Sequence, residues 1–283
     1  MKTKNKGLVD IHLAVLLFGL SGLFGKLIAL PPMIITLGRV IFSSIFLFII
    51  IFYFKKSIKL KEKKHYFYLV IMGIILASHW TAFLKSIQVS TVAIGLLTFS
   101  TFPVFVTFLE PYFFKEKIKL SDVIVAIITF LGVVFVIPKF QLESNLTQGV
   151  IWGLIAGFTY AILSMLNRKY VKEYSSLVVA FYEQLIAAIV LLPALFFQKN
   201  VFHSKDILLL MLLGTVFTAI SHTIFIKGLK NVKVQTAGII SSLEPIYAIL
   251  SAAMLLGEIP TLREILGGSI ILATVFYSTV KSK

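Results

Sequence analysis

Ten apolar runs, each near the ~20 residues that cross a hydrocarbon core, take up almost the whole chain and leave only short connections. They fall at Leu8–Ala29, Met33–Phe54, Tyr66–Ile87, Thr91–Phe114, Leu120–Ile137, Gly149–Asn167, Leu177–Phe197, Ile207–Ile226, Val234–Leu256 and Leu262–Val280. Backbone polar groups in lipid must be satisfied inside the protein, so spans are helices or closed barrels. A barrel would show alternating strands of about 10 residues, whereas these runs are apolar throughout. The expected fold class is an all-α membrane protein of ten transmembrane helices. With 283 residues in total, no room remains for an aqueous domain.

Charge supplies the orientation. The chain is 58% hydrophobic, 14% charged and carries a net charge of +15. Cytoplasmic loops of membrane proteins concentrate Lys and Arg. With the N-terminus inside, twenty of the 27 basic residues fall on inner segments, among them Lys2, Lys4, Lys6, the loop Lys55–Lys64, Arg168, Lys169 and Lys227. Six fall outside (Lys26, Lys85, Lys139, Lys199, Lys205 and Arg263), and Arg39 lies within a span. Both termini are therefore expected in the cytoplasm, and the basic balance needs no nucleic-acid partner. The loop Lys55–Lys64 reads as a topogenic signal, with binding of anionic headgroups as the alternative. The first run is too long for a signal-peptide core and lacks an A-x-A site, so it is read as a retained helix. Cysteine is absent, the five histidines lack zinc spacing and no Walker A motif occurs, so no cofactor, metal or ATP hydrolysis is expected.

The two halves share one register. At an offset of 142, Thr81-Ala82-Phe83-Leu84-Lys85 lies over Thr223-Ile224-Phe225-Ile226-Lys227. Ser100 lies over Ser242, Pro103 over Pro245, Glu116 over Glu258, Gly7 over Gly149, Ala14 over Ala156 and Lys26 over Arg168. The expected organisation is a first five-helix repeat at 1–137, a connecting loop at 138–148 and a second five-helix repeat at 149–283. Five spans is an odd number, so the repeats are inverted. Inverted repeats place a site near mid-membrane and allow access to alternate between faces.

These residues resemble the EamA-type, ten-helix branch of the drug/metabolite transporter superfamily. The matching pieces are Pro31-Pro32…Arg39, Ser90-Thr91-Val92-Ala93…Pro103…Glu116, Ser242-Leu243-Glu244-Pro245, Gly257-Glu258 and Gly267-Gly268. The likeness covers both halves. It implies a transporter of small metabolites or drugs, with spans one, three, four, six, eight and nine around a central cavity. The first span reads Leu17-Phe18-Gly19 where relatives often place a Trp.

Ionisable residues inside a span are costly and usually face a partner or a wet cavity. Glu244, beside Pro245, is a candidate for binding a substrate ammonium or a coupling proton; the plainer reading is a carboxylate satisfying backbone freed by the proline. Arg39 and Glu183, near-equivalents in the two repeats, read as structural or gating charges. Glu110 precedes Pro111 close to a span end and reads as interfacial. His79 is a candidate ligand or proton carrier, since imidazole changes charge near neutral pH; Trp80 is either a wall or an interfacial anchor. His222 is a weaker candidate of the same kind. Thr98, Thr101, Phe102 and Phe105 share a helix face, Tyr247 and Glu244 occupy the matching face of the ninth span, and Tyr160 and Ser164 lie one turn apart on the sixth. Packing between helices is the competing reading for each aromatic. Gly149, Gly153, Gly157 and Ala161 form a small-residue stripe suited to close helix contact.

The expected function is secondary transport of a small organic metabolite, an amino acid or organic amine, by alternating access across an inner membrane in the efflux direction. The alternatives are a receptor or scaffold and, on Gly19-Leu20-Ser21-Gly22 with His222, an intramembrane serine protease. The oligomeric state is open.

Overall fold

The computed structural model describes residues 2–114, 120–136, 141–197 and 202–281. Glu116, the start of the connecting loop and the Glu110 side chain lie outside this description. The described residues are helical with no strand. Ten helical spans result: α1 (Lys2–Ser21, continuing as Phe24–Leu27), α2 (Pro32–Tyr53), α3 (Lys63–Val89), α4 (Val92–Phe99 and Phe102–Phe114) and α5 (Leu120–Val136). The second five are α6 (Asn145–Tyr170), α7 (Ser176–Leu191 and Ala194–Phe197), α8 (Ser204–Leu229), α9 (Val234–Ser241 and Glu244–Leu256) and α10 (Leu262–Lys281).

Local chemistry sets the ends. Pro32 opens α2 at a position where its missing N–H costs nothing. Thr91, Ser144 and Ser175 cap α4, α6 and α7 by accepting from Ile94, Thr147 and Val178 N–H. Gly257 ends α9 at φ 69°, a left-handed conformation that glycine takes without strain.

Packing obeys the repeat. The contacts α3–α6, α3–α7 and α4–α6 each have a counterpart on exchanging halves, namely α8–α1, α8–α2 and α9–α1. The pairs α2–α7, α5–α10 and α4–α9 map onto themselves. This is the pattern of two five-helix repeats around a pseudo-twofold axis. Two of the interruptions obey it too: α4 breaks at Ser100–Thr101 before Pro103, and α9 breaks at Ser242–Leu243 before Pro245. Proline cannot continue the backbone ladder, so the sequence match at these two positions becomes a matched pair of broken helices.

The surface is inverted relative to a soluble protein. Large apolar side chains such as Phe52, Phe67, Leu131, Phe196 and Met254 are exposed around the bundle, while Arg39, Glu183, His79, His222 and Glu244 are buried within it. The stripe on α6 makes the close contact its composition suggests. Gly149 meets Ser90, Gly153 meets Thr98 and Ser86, and Gly157 meets the Phe99 carbonyl and Thr101. Side chains there would push α6 away from α3 and α4.

Away from the face bearing the termini, three segments are tied together. Lys26 Nζ, at the end of α1, donates to the Ser90 carbonyl at 2.7 Å and lies 3.6 Å from Glu258 Oε1. Glu258 Oε2 accepts from Val92 N–H at 3.0 Å. Thr91 Oγ1 donates to Glu264 Oε1 at 2.8 Å, and Glu264 Oε2 accepts from Thr261 N–H. The turn at Gly257 delivers Glu258 to this cluster, which closes α1, α3–α4 and α9–α10 over the far end of the bundle.

Candidate functional site

Beneath this closure, at the level of the helix breaks, lies a narrow, partly open pocket between the helices. Seven spans line it: Phe18 and Ser21 from α1, Arg39 from α2, His79, Trp80 and Phe83 from α3, Phe99 from α4, Tyr160 from α6, His222 from α8 and Glu244 from α9.

The charged groups come from opposite repeats. Arg39 is 1% exposed and stacks on Trp80, with Cζ 3.9 Å from the ring centroid. A guanidinium over an indole face gains cation–π attraction that strengthens with desolvation. Arg39 Nε donates to Thr218 Oγ1 at 3.0 Å. Thr218 sits in a π-helical turn of α8, Thr215–Ile220, and its hydroxyl donates to the Leu213 carbonyl five residues back. Such π segments are frequent at functional sites; this one brings the hydroxyl onto Arg39. Next along the wall, His222 Nε2 and Glu183 Oε2 lie 2.7 Å apart, and the His222 ring meets Trp80 edge-on at 5.6 Å.

Glu244 opens the second half of α9. Its backbone is held tightly from α1: a Cβ on Gly19 would stand 2.9 Å from the Glu244 carbonyl oxygen and from Tyr247 Cβ. Glu244 makes no side-chain hydrogen bond among the described residues, although it is 4% exposed.

His79 Nδ1 lies 2.9 Å from the Ala156 carbonyl, so that nitrogen carries the proton in the neutral ring. Its ring packs on Tyr160 at 4.8 Å and Phe99 at 5.5 Å. Phe102 packs on Phe99 and Tyr160 at 5.5 and 5.1 Å. Tyr160 therefore stands against both His79 and Phe102.

The structure brings six of the sequence candidates to the cavity lining: Arg39, His79, Trp80, Tyr160, His222 and Glu244. Trp80 is buried and forms part of the lining. Phe102 and Glu183 stand directly behind the lining. Thr98 and Thr101 spend their hydroxyls on the Ile94 and Thr98 carbonyls of their own helix. Phe105 turns toward Phe130 and Phe158. Tyr247 is half-buried against Gly19, and Ser164 is buried one turn from Tyr160. Phe18, Ser21, Phe83 and Phe99 line the cavity without having been singled out as binding residues; Phe83 is one turn after His79, and Phe99 three residues before Phe102. Ser21 Oγ donates to the Phe18 carbonyl at 2.8 Å while His222 is held by Glu183, so the two are not a nucleophile–base pair.

The model of the EamA-like transporter family matches this chain twice, over residues 5–137 and 147–280. The chain belongs to the EamA-like transporter family. Among similar proteins, an uncharacterized transporter YxxF of Bacillus subtilis (strain 168) is 25% identical, covering 99% of this chain and 91% of its own. An uncharacterized transporter of Archaeoglobus fulgidus is 30% identical over 69% of each chain. A protein of Rickettsia conorii named S-adenosylmethionine uptake transporter is 23% identical, covering 87% of this chain and 82% of its own. A solved crystal structure superposes with a TM-score of 0.69 at 16% identity, covering 99% of this chain and 97% of that one, which is a likeness of fold. This EamA-like chain is a multi-pass membrane transporter and not an enzyme.

Proposed function

We propose that this EamA-like protein is a secondary transporter of amino acids or organic amines, working by alternating access in the inner membrane with both termini in the cytoplasm. The carrying observation is Glu244: a buried carboxylate without a hydrogen bond among the described residues, at the break of α9, facing an aromatic-lined cavity. A buried carboxylate is expensive unless a cation or a proton meets it; Arg39 in the same lining acts on Glu244 from beyond ion-pair distance. A substrate ammonium supplies that partner, and the surrounding rings Phe18, Trp80, Phe83, Phe99 and Tyr160 favour cations and apolar groups alike. The cluster of Lys26, Thr91, Glu258 and Glu264 serves as the closure on the outer side, and net movement is outward.

A second reading, uptake of S-adenosylmethionine, is favoured by the names of the Rickettsia relatives. That molecule joins an amino-acid group to a sulfonium and a flat base, which suits the same acid and rings.

The experiment is a substrate screen in proteoliposomes, with and without a pH gradient, in both directions. Export of amino acids or amines is expected. Transport confined to S-adenosylmethionine would select the second reading, and no transport of any of them would refute both.

A further inference from the structure

The connection between α2 and α3 carries six lysines against one glutamate within Lys55–Lys64. A topogenic signal needs only charge, yet this connection also has a fixed shape. α2 ends in a Schellman turn, in which Lys55 N–H donates to the Phe52 carbonyl and Lys56 N–H to the Ile51 carbonyl, both at 3.0 Å. Lys55 takes the left-handed position of that turn at φ 48°, where glycine would sit without strain. Three tyrosine hydroxyls hold the segment that follows. Tyr66 of α3 accepts from Leu60 N–H at 3.1 Å, Tyr174 in the turn after α6 accepts from Lys61 N–H at 3.0 Å, and Tyr182 of α7 donates to the Ile58 carbonyl at 3.1 Å. Leu60 is buried. The segment is thus pinned to the second repeat as well as to its own.

The six lysines are exposed. Lys55, Lys56, Lys59 and Lys63 make no side-chain hydrogen bond or ion pair among the described residues. Lys64 lies 2.7 Å from Glu62 Oε2, so the one acid of the segment is already engaged, and Lys61 stands 6.0 Å from the Tyr174 ring centroid. Large exposed rings flank the segment: Phe52, Tyr53 and Phe54 at the end of α2, and Phe67 near the start of α3. Aromatic side chains collect where hydrocarbon meets water, which sets this connection at headgroup depth. Unpaired ammonium groups held at that depth on a shaped backbone match the phosphodiester anions of a bilayer surface. We propose that Lys55–Lys64 is a docking surface for anionic phospholipid headgroups, with Lys56, Lys59 and Lys63 as its principal contacts. This goes beyond the transport reading and does not depend on it.

The test uses purified full-length protein in nanodiscs of phosphatidylcholine, alone or mixed with phosphatidylglycerol, so that both faces are open to reagent. Lysines are acylated with a neutral reagent and quantified by mass spectrometry. Phosphatidylglycerol is expected to slow modification of Lys56, Lys59 and Lys63 at least 3-fold. Lys6, Lys230 and Lys233, exposed on the same face, are expected to change less than half as much. Equal slowing of both sets would overturn the proposal by reducing it to the surface potential of the disc, and so would protection of neither. Protection by inorganic phosphate in phosphatidylcholine discs would also overturn it, by assigning the lysines to a soluble anion. Spin-labelled lipids then read the preference of the protein surface directly. Wild type is expected to favour phosphatidylglycerol over phosphatidylcholine at least 3-fold, K56Q/K59Q/K63Q to lose most of that preference, and K6Q/K230Q/K233Q to keep it. K56R/K59R/K63R retains the charge and the topogenic signal and is expected to keep it too. Loss in the arginine variant, or equal loss in the two glutamine variants, would overturn the proposal. The footprint needs no variant, so it decides even where K56Q/K59Q/K63Q inserts wrongly.

Discussion

His222 Nε2 and Glu183 Oε2 meet at 2.7 Å across α8 and α7, at 1% and 0% side-chain exposure. Glu183 is the near-equivalent of Arg39 in the second repeat; Arg39 on α2 lines the cavity, while Glu183 on α7 stands behind the lining and holds His222. Removing one partner of a buried pair leaves the other unmet, at a cost of about 3–5 kcal/mol. Glu183→Ala and His222→Ala should each lower the detergent melting temperature. The double variant should lose less than the sum, because the two residues share one interaction. Strict additivity would separate them.

Glycine 19 has a packing role that substitution exposes. Its bare Cα lets α1 approach the Glu244 backbone, and a Cβ there meets the Glu244 carbonyl oxygen and Tyr247 at 2.9 Å. Neither atom is the end of a flexible chain, so the helices must part. Gly19→Ala is expected to cut transport at least 10-fold, with the protein still inserted and monodisperse. Wild-type transport by Gly19→Ala would show that the α1–α9 spacing is not critical.

Closure at the far end depends on few bonds. Lys26 and Glu258 are about a quarter exposed, so each contact is worth roughly 1 kcal/mol or less. Removal of two is enough to shift an equilibrium several-fold. The natural chain has no cysteine, so a single Ser21→Cys reporter in the cavity has no background. Adding Glu258→Gln and Thr91→Ala should raise its labelling by an impermeant maleimide from the far side at least 3-fold. An unchanged rate would mean that this cluster does not hold the cavity shut.

Topology is checked by reporter fusions. Those placed after Lys64 and after Lys283 should report the cytoplasm, and one after Asn145 the opposite side. A C-terminus opposite the N-terminus would contradict an even number of spans.

Much of this architecture is legible in the chain. Spans follow from hydrophobic length, the repeat from a shared register, and the broken helices from Pro103 and Pro245 in matched positions. Mid-span charges pointed to Arg39, Glu183 and Glu244 because lipid makes such residues costly. The aromatic wall was only half legible. Phe102 and Phe105 share a face on paper, yet Phe105 turns to Phe130, since a face of an α-helix is wide enough to serve two neighbours. Thr218 carried no signal at all: its role comes from a π turn that shifts register, and nothing in Thr215–Ile220 announces the bulge. The ties from Lys26 to Glu258 and Thr91 to Glu264 join residues more than 170 positions apart, which only the packed bundle brings together.

The most direct test of the central claim is Glu244→Gln in proteoliposomes, with counterflow of a transported amino acid or amine as the readout. The substitution keeps volume and removes charge at the cavity. Counterflow is expected to fall at least 10-fold while yield and melting temperature stay near wild type. Unchanged counterflow with an unchanged pH profile would contradict a substrate site built around Glu244.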